Sequence, residues 1–142
     1  MTGSPHYVLD CSMTLSWFFE DELTAKTSAL WDALPDDLVV VPELWLFELS
    51  NALLVAERKK RTTEAKIDQF LDRLLKQPIT IDRTAADRAL SSTRSLAART
   101  GLSAYDATYL DLSIRSGIPL ATLDKSLAKA AMSVKVPLVL KI

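Results

Sequence analysis

Four acidic residues in this chain have the type and placement to do chemistry together. Asp10 closes the short apolar run Tyr7-Val8-Leu9, and Asp124 follows the run from Ile118 to Thr122. Glu48 and Asp106 fall early in longer helical patterns. Carboxylates drawn into one cluster repel one another and raise each other's pKa, and a divalent cation removes that conflict. Ligands that are all oxygen favour hard ions, Mg2+ or Mn2+. The lone His6 and lone Cys11 leave no ligand set for zinc. A hard divalent ion held by carboxylates suits phosphate chemistry, in which it activates water and offsets charge on the phosphate.

Each acid also has a plain local reading. Asp10 and Asp124 each precede a helix and could be N-caps. Ser103-Ala104-Tyr105-Asp106 has the capping-box spacing, with Asp in place of the usual Glu. Glu48 fits a local role least well. It is the only charge between Glu43 and Glu57, and it shares a helix face with Leu44, Asn51, Ala52 and Val55. A buried carboxylate needs compensation, and no basic residue lies one turn away. A cation shared with other acids would supply it, as would an ion pair with a distant arginine.

The elements that must position these acids alternate between short apolar runs and longer helical patterns. Tyr7 to Leu9, Leu38 to Val41 (stopped by Pro42), Ile79 to Ile81 and Ile118 to Thr122 read as strands, with a weak last strand over Leu138 to Leu140. Helices are predicted over Met13–Phe19, Thr24–Ala33, Glu43–Arg58, from Thr62 or Thr63 to about Lys76, Arg83–Thr100, Ser103–Ser116 and Leu127–Met132. Gly101 and Gly117 stand where helix C-caps are expected. Continuously apolar strands separated by helices predict an α/β fold, a mainly parallel sheet covered on both faces. In such sheets ligands bind beyond the carboxyl ends of the strands, which is where Asp10 and Asp124 fall.

Composition narrows the function. The 142 residues, 49% apolar and 25% charged, fit one compact domain with a real core. A net charge of -1 gives no global pull toward nucleic acid, so such a partner would be held locally or through metal. Glycine occurs only at positions 3, 101 and 117, which excludes glycine-rich phosphate loops. One cysteine excludes an internal disulfide and fits a reducing cytoplasm. The polar start from Met1 to His6 lacks the pattern of a signal peptide. No apolar run approaches the ~18 residues of a membrane span, so a cytoplasmic protein without a membrane partner is expected.

The chain resembles the PIN-domain nucleases, and within them a VapC-type toxin of a bacterial toxin–antitoxin pair. The resemblance rests on Val8-Leu9-Asp10-Cys11-Ser12, on Glu48-Leu49-Ser50-Asn51-Ala52-Leu53, on Leu102 to Leu110 around Ser103 and Asp106, and on Pro119 to Leu127 around Thr122 and Asp124. It spans residues 1–142 as a single PIN-like domain. It implies a three-layer α/β/α fold and a four-acid site for Mg2+, with Mn2+ as the alternative. It further implies hydrolysis of phosphodiester bonds in structured RNA such as tRNA or rRNA, a homodimer, and a small antitoxin that blocks the site. In this reading Asp10, Asp106 and Asp124 hold the metal, directly or through water. Glu48 completes the cluster and positions or deprotonates the nucleophile. Cys11 stands where a smaller residue is commoner. Asp111 interrupts a helix that is usually more apolar there, and it is expected to face solvent or a subunit contact.

Supporting roles follow from position. Ser12 and Thr122 could hold a carboxylate or a water at the metal, and Asn51, one turn from Glu48, could orient it; each could equally be a cap or a packing group. Arg58-Lys59-Lys60-Arg61 could meet RNA phosphates, or simply complement a helix C-terminus. Trp17, Phe18, Trp31, Trp45 and Phe47 read as core or interface, and Cys11 as a small buried residue. Two other functions stay open. One is a haloacid-dehalogenase-like phosphatase, since Asp10-Cys11-Ser12-Met13-Thr14 echoes D-x-D-x-T with Ser12 in place of the second aspartate. The other is a non-catalytic module that binds metal or a partner.

Overall fold

A computed structural model describes residues 6–142; the polar start over residues 1–5 lies outside them. Four short strands form the sheet: β1 (Tyr7–Leu9), β2 (Val39–Pro42), β3 (Ile79–Asp82) and β4 (Leu120–Ala121). Their order is β3-β2-β1-β4, and every pairing is parallel. The β-branched Val39-Val40-Val41 suits a strand covered on both sides, and both central strands are wholly buried.

Between β1 and β2 lie α1 (Cys11–Phe18) and α2 (Ala25–Ala33); between β2 and β3 lie α3 (Leu44–Arg58) and α4 (Glu64–Leu74). After β3 come α5 (Ala85–Arg88), a π-helical turn (Ala89–Thr93), α6 (Arg94–Thr100) and α7 (Ala104–Ser116); α8 (Lys125–Ser133) follows β4. Right-handed crossovers put α1–α4 on one face of the sheet and α5–α8 on the other, giving the three-layer α/β/α fold. The first layer is tied by Trp45 of α3, whose indole donates to Thr14 of α1 at 2.9 Å, and by Trp31 stacked 5.8 Å from Phe70. Tyr109 and Leu110 of α7 are fully buried in the second. Gly101 and Gly117 adopt left-handed φ of 76° and 68° at the ends of α6 and α7, the conformation that a Cβ disfavours.

The topology decides where a site can lie. The chain runs from β1 outward to β2 and β3, then crosses back to β4 on the other side of β1. The order therefore reverses between β1 and β4, and a crevice opens past their carboxyl ends.

Several expectations need correction. β3 is an edge strand and is partly exposed rather than doubly covered. The last strand reduces to one bridge, Leu120 to Leu138. The helix expected over Arg83–Thr100 is broken by the π turn, an inserted residue that hydrophobic periodicity does not register. Asp111 does not face solvent; it is 5% exposed. Arg88 grips it with two hydrogen bonds of 2.7 and 3.1 Å, and Arg115 stands 3.5 Å away. Two guanidinium groups thus compensate an acid that α7 carries inward. Trp45 enters the core, and Trp17, Phe18 and Trp31 pack against it. Phe47 does not, and remains 72% exposed.

Candidate functional site

Asp10 lies at the β1/β4 switch, where its backbone N–H donates to Ala121 at 3.0 Å. It caps α1, as the local reading expects, and its carboxylate is held on both oxygens. Oδ1 accepts the Cys11 N–H at 2.7 Å; Oδ2 accepts the Ser12 hydroxyl at 2.7 Å and the Thr122 hydroxyl at 2.6 Å. Each hydroxyl also accepts a backbone N–H, Ser12 from Leu123 at 2.9 Å and Thr122 from Asp124 at 3.0 Å. With both its capacities used, each hydroxyl links the loop after β4 to the Asp10 carboxylate. Burial nevertheless pushes the Asp10 pKa up; the three hydrogen bonds oppose that push and Asp124 adds to it.

Glu48 lies one turn into α3, beside the buried stripe of Trp45, Leu49, Leu53 and Ala56 rather than within it. It is half-buried, because the face it shares with Asn51 and Val55 is open to solvent. One oxygen, Oε1, accepts the Tyr109 hydroxyl at 2.5 Å. Its pKa is raised, first by burial and then by Asp10 and Asp106, against the lowering effect of Tyr109.

Asp106 sits in the first turn of α7. Its backbone N–H donates to the Ser103 cap at 3.1 Å. Burial raises its pKa, and Asp124 and Asp10 raise it further. Asp124 caps α8 through Oδ1, which accepts the Leu127 N–H at 2.8 Å.

The four acids therefore lie within Coulombic reach of one another, and the charges acting on Asp10, Glu48 and Asp106 are all carboxylates, with no lysine or arginine among them. Glu48 and Asp124 each have one oxygen tied and the other free of protein hydrogen bonds. Among the described residues, no three His, Cys, Asp or Glu side chains stand close enough to enclose an ion as placed. The donor set still fits a hard divalent cation: oxygen-only, anionic, and lacking any protein counter-charge. Cys11 fits neither a ligand nor a nucleophile, since burial and the charges of Asp10 and Glu48 push its thiol up to about 12.

Other expected residues lie differently. Asn51 is exposed; Tyr109, not Asn51, is the hydrogen-bond partner of Glu48. Arg58 lies ten residues beyond Glu48, about 15 Å along the helix, and Arg61 is bound to Asp21 and Glu22 at 3.0 Å each. Tyr109 is the residue that sequence reasoning missed. A tyrosine on the core side of a helix, three residues after Asp106, needs a partner for its hydroxyl, and that was the available signal.

The PIN domain model matches residues 7–132, a span that holds all four acids. The chain belongs to the PIN domain family. Three solved structures share the fold of this PIN domain. PAE2754 from Pyrobaculum aerophilum is 22% identical with TM-score 0.67, over 89% of this chain and 84% of that one. VapBC2 from Rickettsia felis, solved with a DNA fragment from its promoter, is 15% identical with TM-score 0.62, over 93% and 96%. FitAcB from Neisseria gonorrhoeae is 22% identical with TM-score 0.57, over 93% and 95%. No curated protein matches the chain. No helix among the described residues is long and apolar enough to cross a membrane.

Proposed function

We propose that this PIN domain is a metal-dependent endoribonuclease, the toxin of a toxin–antitoxin pair, acting in the cytoplasm as a homodimer that a small antitoxin inhibits. The observation that carries the catalytic part is the group of four mutually repelling carboxylates with no protein cation, at the β1/β4 switch of a PIN fold. The toxin reading is supported by likeness to VapBC2 and FitAcB.

Asp10, Asp106 and Asp124 would hold Mg2+ or Mn2+, with Glu48 completing the set. When bound, such an ion neutralises the cluster, lowers the pKa of water and offsets charge on the phosphate. The chain's own contribution is orientation and proton transfer. Ser12, Thr122 and the Cys11 N–H fix the Asp10 carboxylate. Tyr109 fixes one oxygen of Glu48. The other oxygen is placed to orient the attacking water and take its proton, and the raised pKa of Glu48 suits a base near neutral pH. Water oxygen then bonds to phosphorus as the bond to the leaving ribose oxygen breaks.

The test is cleavage of labelled RNA by wild type, Asp10→Asn and Asp106→Asn, with and without excess EDTA. Both variants are expected to keep the wild-type circular dichroism and lose cleavage, and EDTA should stop the wild type. Full activity in either variant, or activity undiminished in EDTA, would refute the proposal.

A further inference from the structure

Among the phenylalanines, tryptophans and tyrosines, all of them in the described residues, only Phe47 and Tyr105 are exposed, at 72% and 66%. Each immediately precedes an acid of the cluster, Phe47 before Glu48 on α3 and Tyr105 before Asp106 on α7. The two helices meet there, because the Tyr109 hydroxyl bonds Glu48. Tyr105 lies one turn before Tyr109 on the same stripe of α7, about 5–6 Å away. The other strongly exposed apolar residues, Leu75, Leu90 and Met132, are not aromatic and do not adjoin an acid of the cluster.

A strand brought to these acids meets charge of its own sign. The basic run Arg58–Arg61 begins about 15 Å along α3 from Glu48, and Arg61 is occupied by Asp21 and Glu22. Arg83 is likewise paired, with Glu43 at 3.1 Å. Grip on the nucleic acid near the site therefore has to come from contacts other than phosphate pairing. Exposed aromatic rings supply such a contact, since every base has a face that stacks on one. Stacking also selects the substrate, because bases within a duplex are already stacked and only unpaired ones are free to splay onto a side chain.

We propose that Phe47 and Tyr105 are stacking platforms for unpaired bases flanking the scissile phosphate, so that this site takes single-stranded RNA rather than duplex. The inference rests on the nuclease reading above and adds its substrate class. A second copy of the chain is the competing occupant of the same rings.

The experiment measures fluorescence anisotropy of a labelled 12-nucleotide single-stranded RNA of mixed sequence, of the same strand annealed to its complement, and of the strand with abasic positions at its centre. The Asp10→Asn protein is used so that the strand survives, with Phe47→Ala, Tyr105→Ala, Phe47→Leu and Phe47→Trp added to it. Both aromatic side chains are exposed, so the variants should keep the parent's melting temperature. Each alanine is expected to weaken single-strand binding about tenfold, within a range of roughly 5- to 100-fold. The abasic strand should bind the parent about as weakly, duplex binding should not change, and Phe47→Trp should bind like the parent. Equal single-strand affinity in the alanine variants would overturn the proposal. So would parent-like binding by Phe47→Leu, which keeps apolar cover without a π face. A change of sedimentation coefficient in Phe47→Ala with RNA binding intact would assign the rings to a second copy. Cleavage by otherwise wild-type protein is scored separately: stacking losses without cleavage would sink the nuclease reading alone, and cleavage without stacking losses would sink this inference alone.

Discussion

Tyr109→Phe tests the link between the core and the candidate site. The change removes one oxygen from a ring that is fully buried, so packing should be preserved. What is lost is the hydrogen bond to Glu48. A bond to a charged group contributes about 1.5–3 kcal/mol net. Glu48 is half-exposed, so water can replace the hydroxyl and the lower end applies, about 1.5 kcal/mol. For a domain of this size that corresponds to a fall in melting temperature of about 5 °C. The functional loss should exceed the structural one. Groups that orient a metal's ligands typically contribute about 10- to 100-fold to metal affinity or activity, and that loss is expected in Mn2+ titration calorimetry and in RNA cleavage. A double-mutant cycle with Glu48→Ala isolates the pair: the coupling should be about 1–2 kcal/mol. Coupling below about 0.3 kcal/mol, or wild-type Mn2+ affinity in Tyr109→Phe, would refute the assigned role.

Asp111→Ala removes the acid between Arg88 and Arg115 and leaves Arg115 partly buried without its partner, which should lower the unfolding free energy by about 3–5 kcal/mol; a change under about 1 kcal/mol in urea unfolding would show that the pair contributes little. Asp106→Asn should stabilise the metal-free protein near neutral pH, because the folded state holds Asp106 at a raised pKa through burial and its acidic neighbours. A raised folded pKa means that this cost is absent below the unfolded value, near 3.8, and is fully present once pH has passed the folded one. In EDTA, the gap in melting temperature between variant and wild type should therefore shrink as pH falls toward that value, and a gap that widened would reverse the assignment. Added Mn2+ should raise the melting temperature of the wild type more than that of Asp106→Asn, which differential scanning fluorimetry reads directly.

Much of this protein is legible in local sequence. Thr63 and Ser103 cap α4 and α7 as their spacing predicts, and Gly101 and Gly117 end their helices. Asp10 and Asp124 could be placed at strand ends from the apolar runs before them. Their two readings turn out to be compatible, since each caps a helix while also standing in the cluster. The burial of Glu48 was overestimated, because an apolar helix can present part of its apolar surface to solvent, as Phe47 and Val55 do. Asp111 was misplaced because its compensating Arg88 lies 23 residues away, on an element whose register a π turn had shifted.

The sequence alone determined element types, their caps, the acids at their ends and, through four ordered motifs, the PIN resemblance, because these depend on short-range spacing and backbone preference. The tertiary structure decided the rest. Strand order put the switch between β1 and β4, and long-range packing set the Thr122 hydroxyl on Asp10, 112 residues apart, and the Tyr109 hydroxyl on Glu48, 61 apart. Which side chains stay exposed, Phe47 and Tyr105 among them, was settled by which helix faces the sheet and its layers could cover. Such pairings are fixed by crossover connections and by competition for one core, and periodicity within a single element carries no record of either.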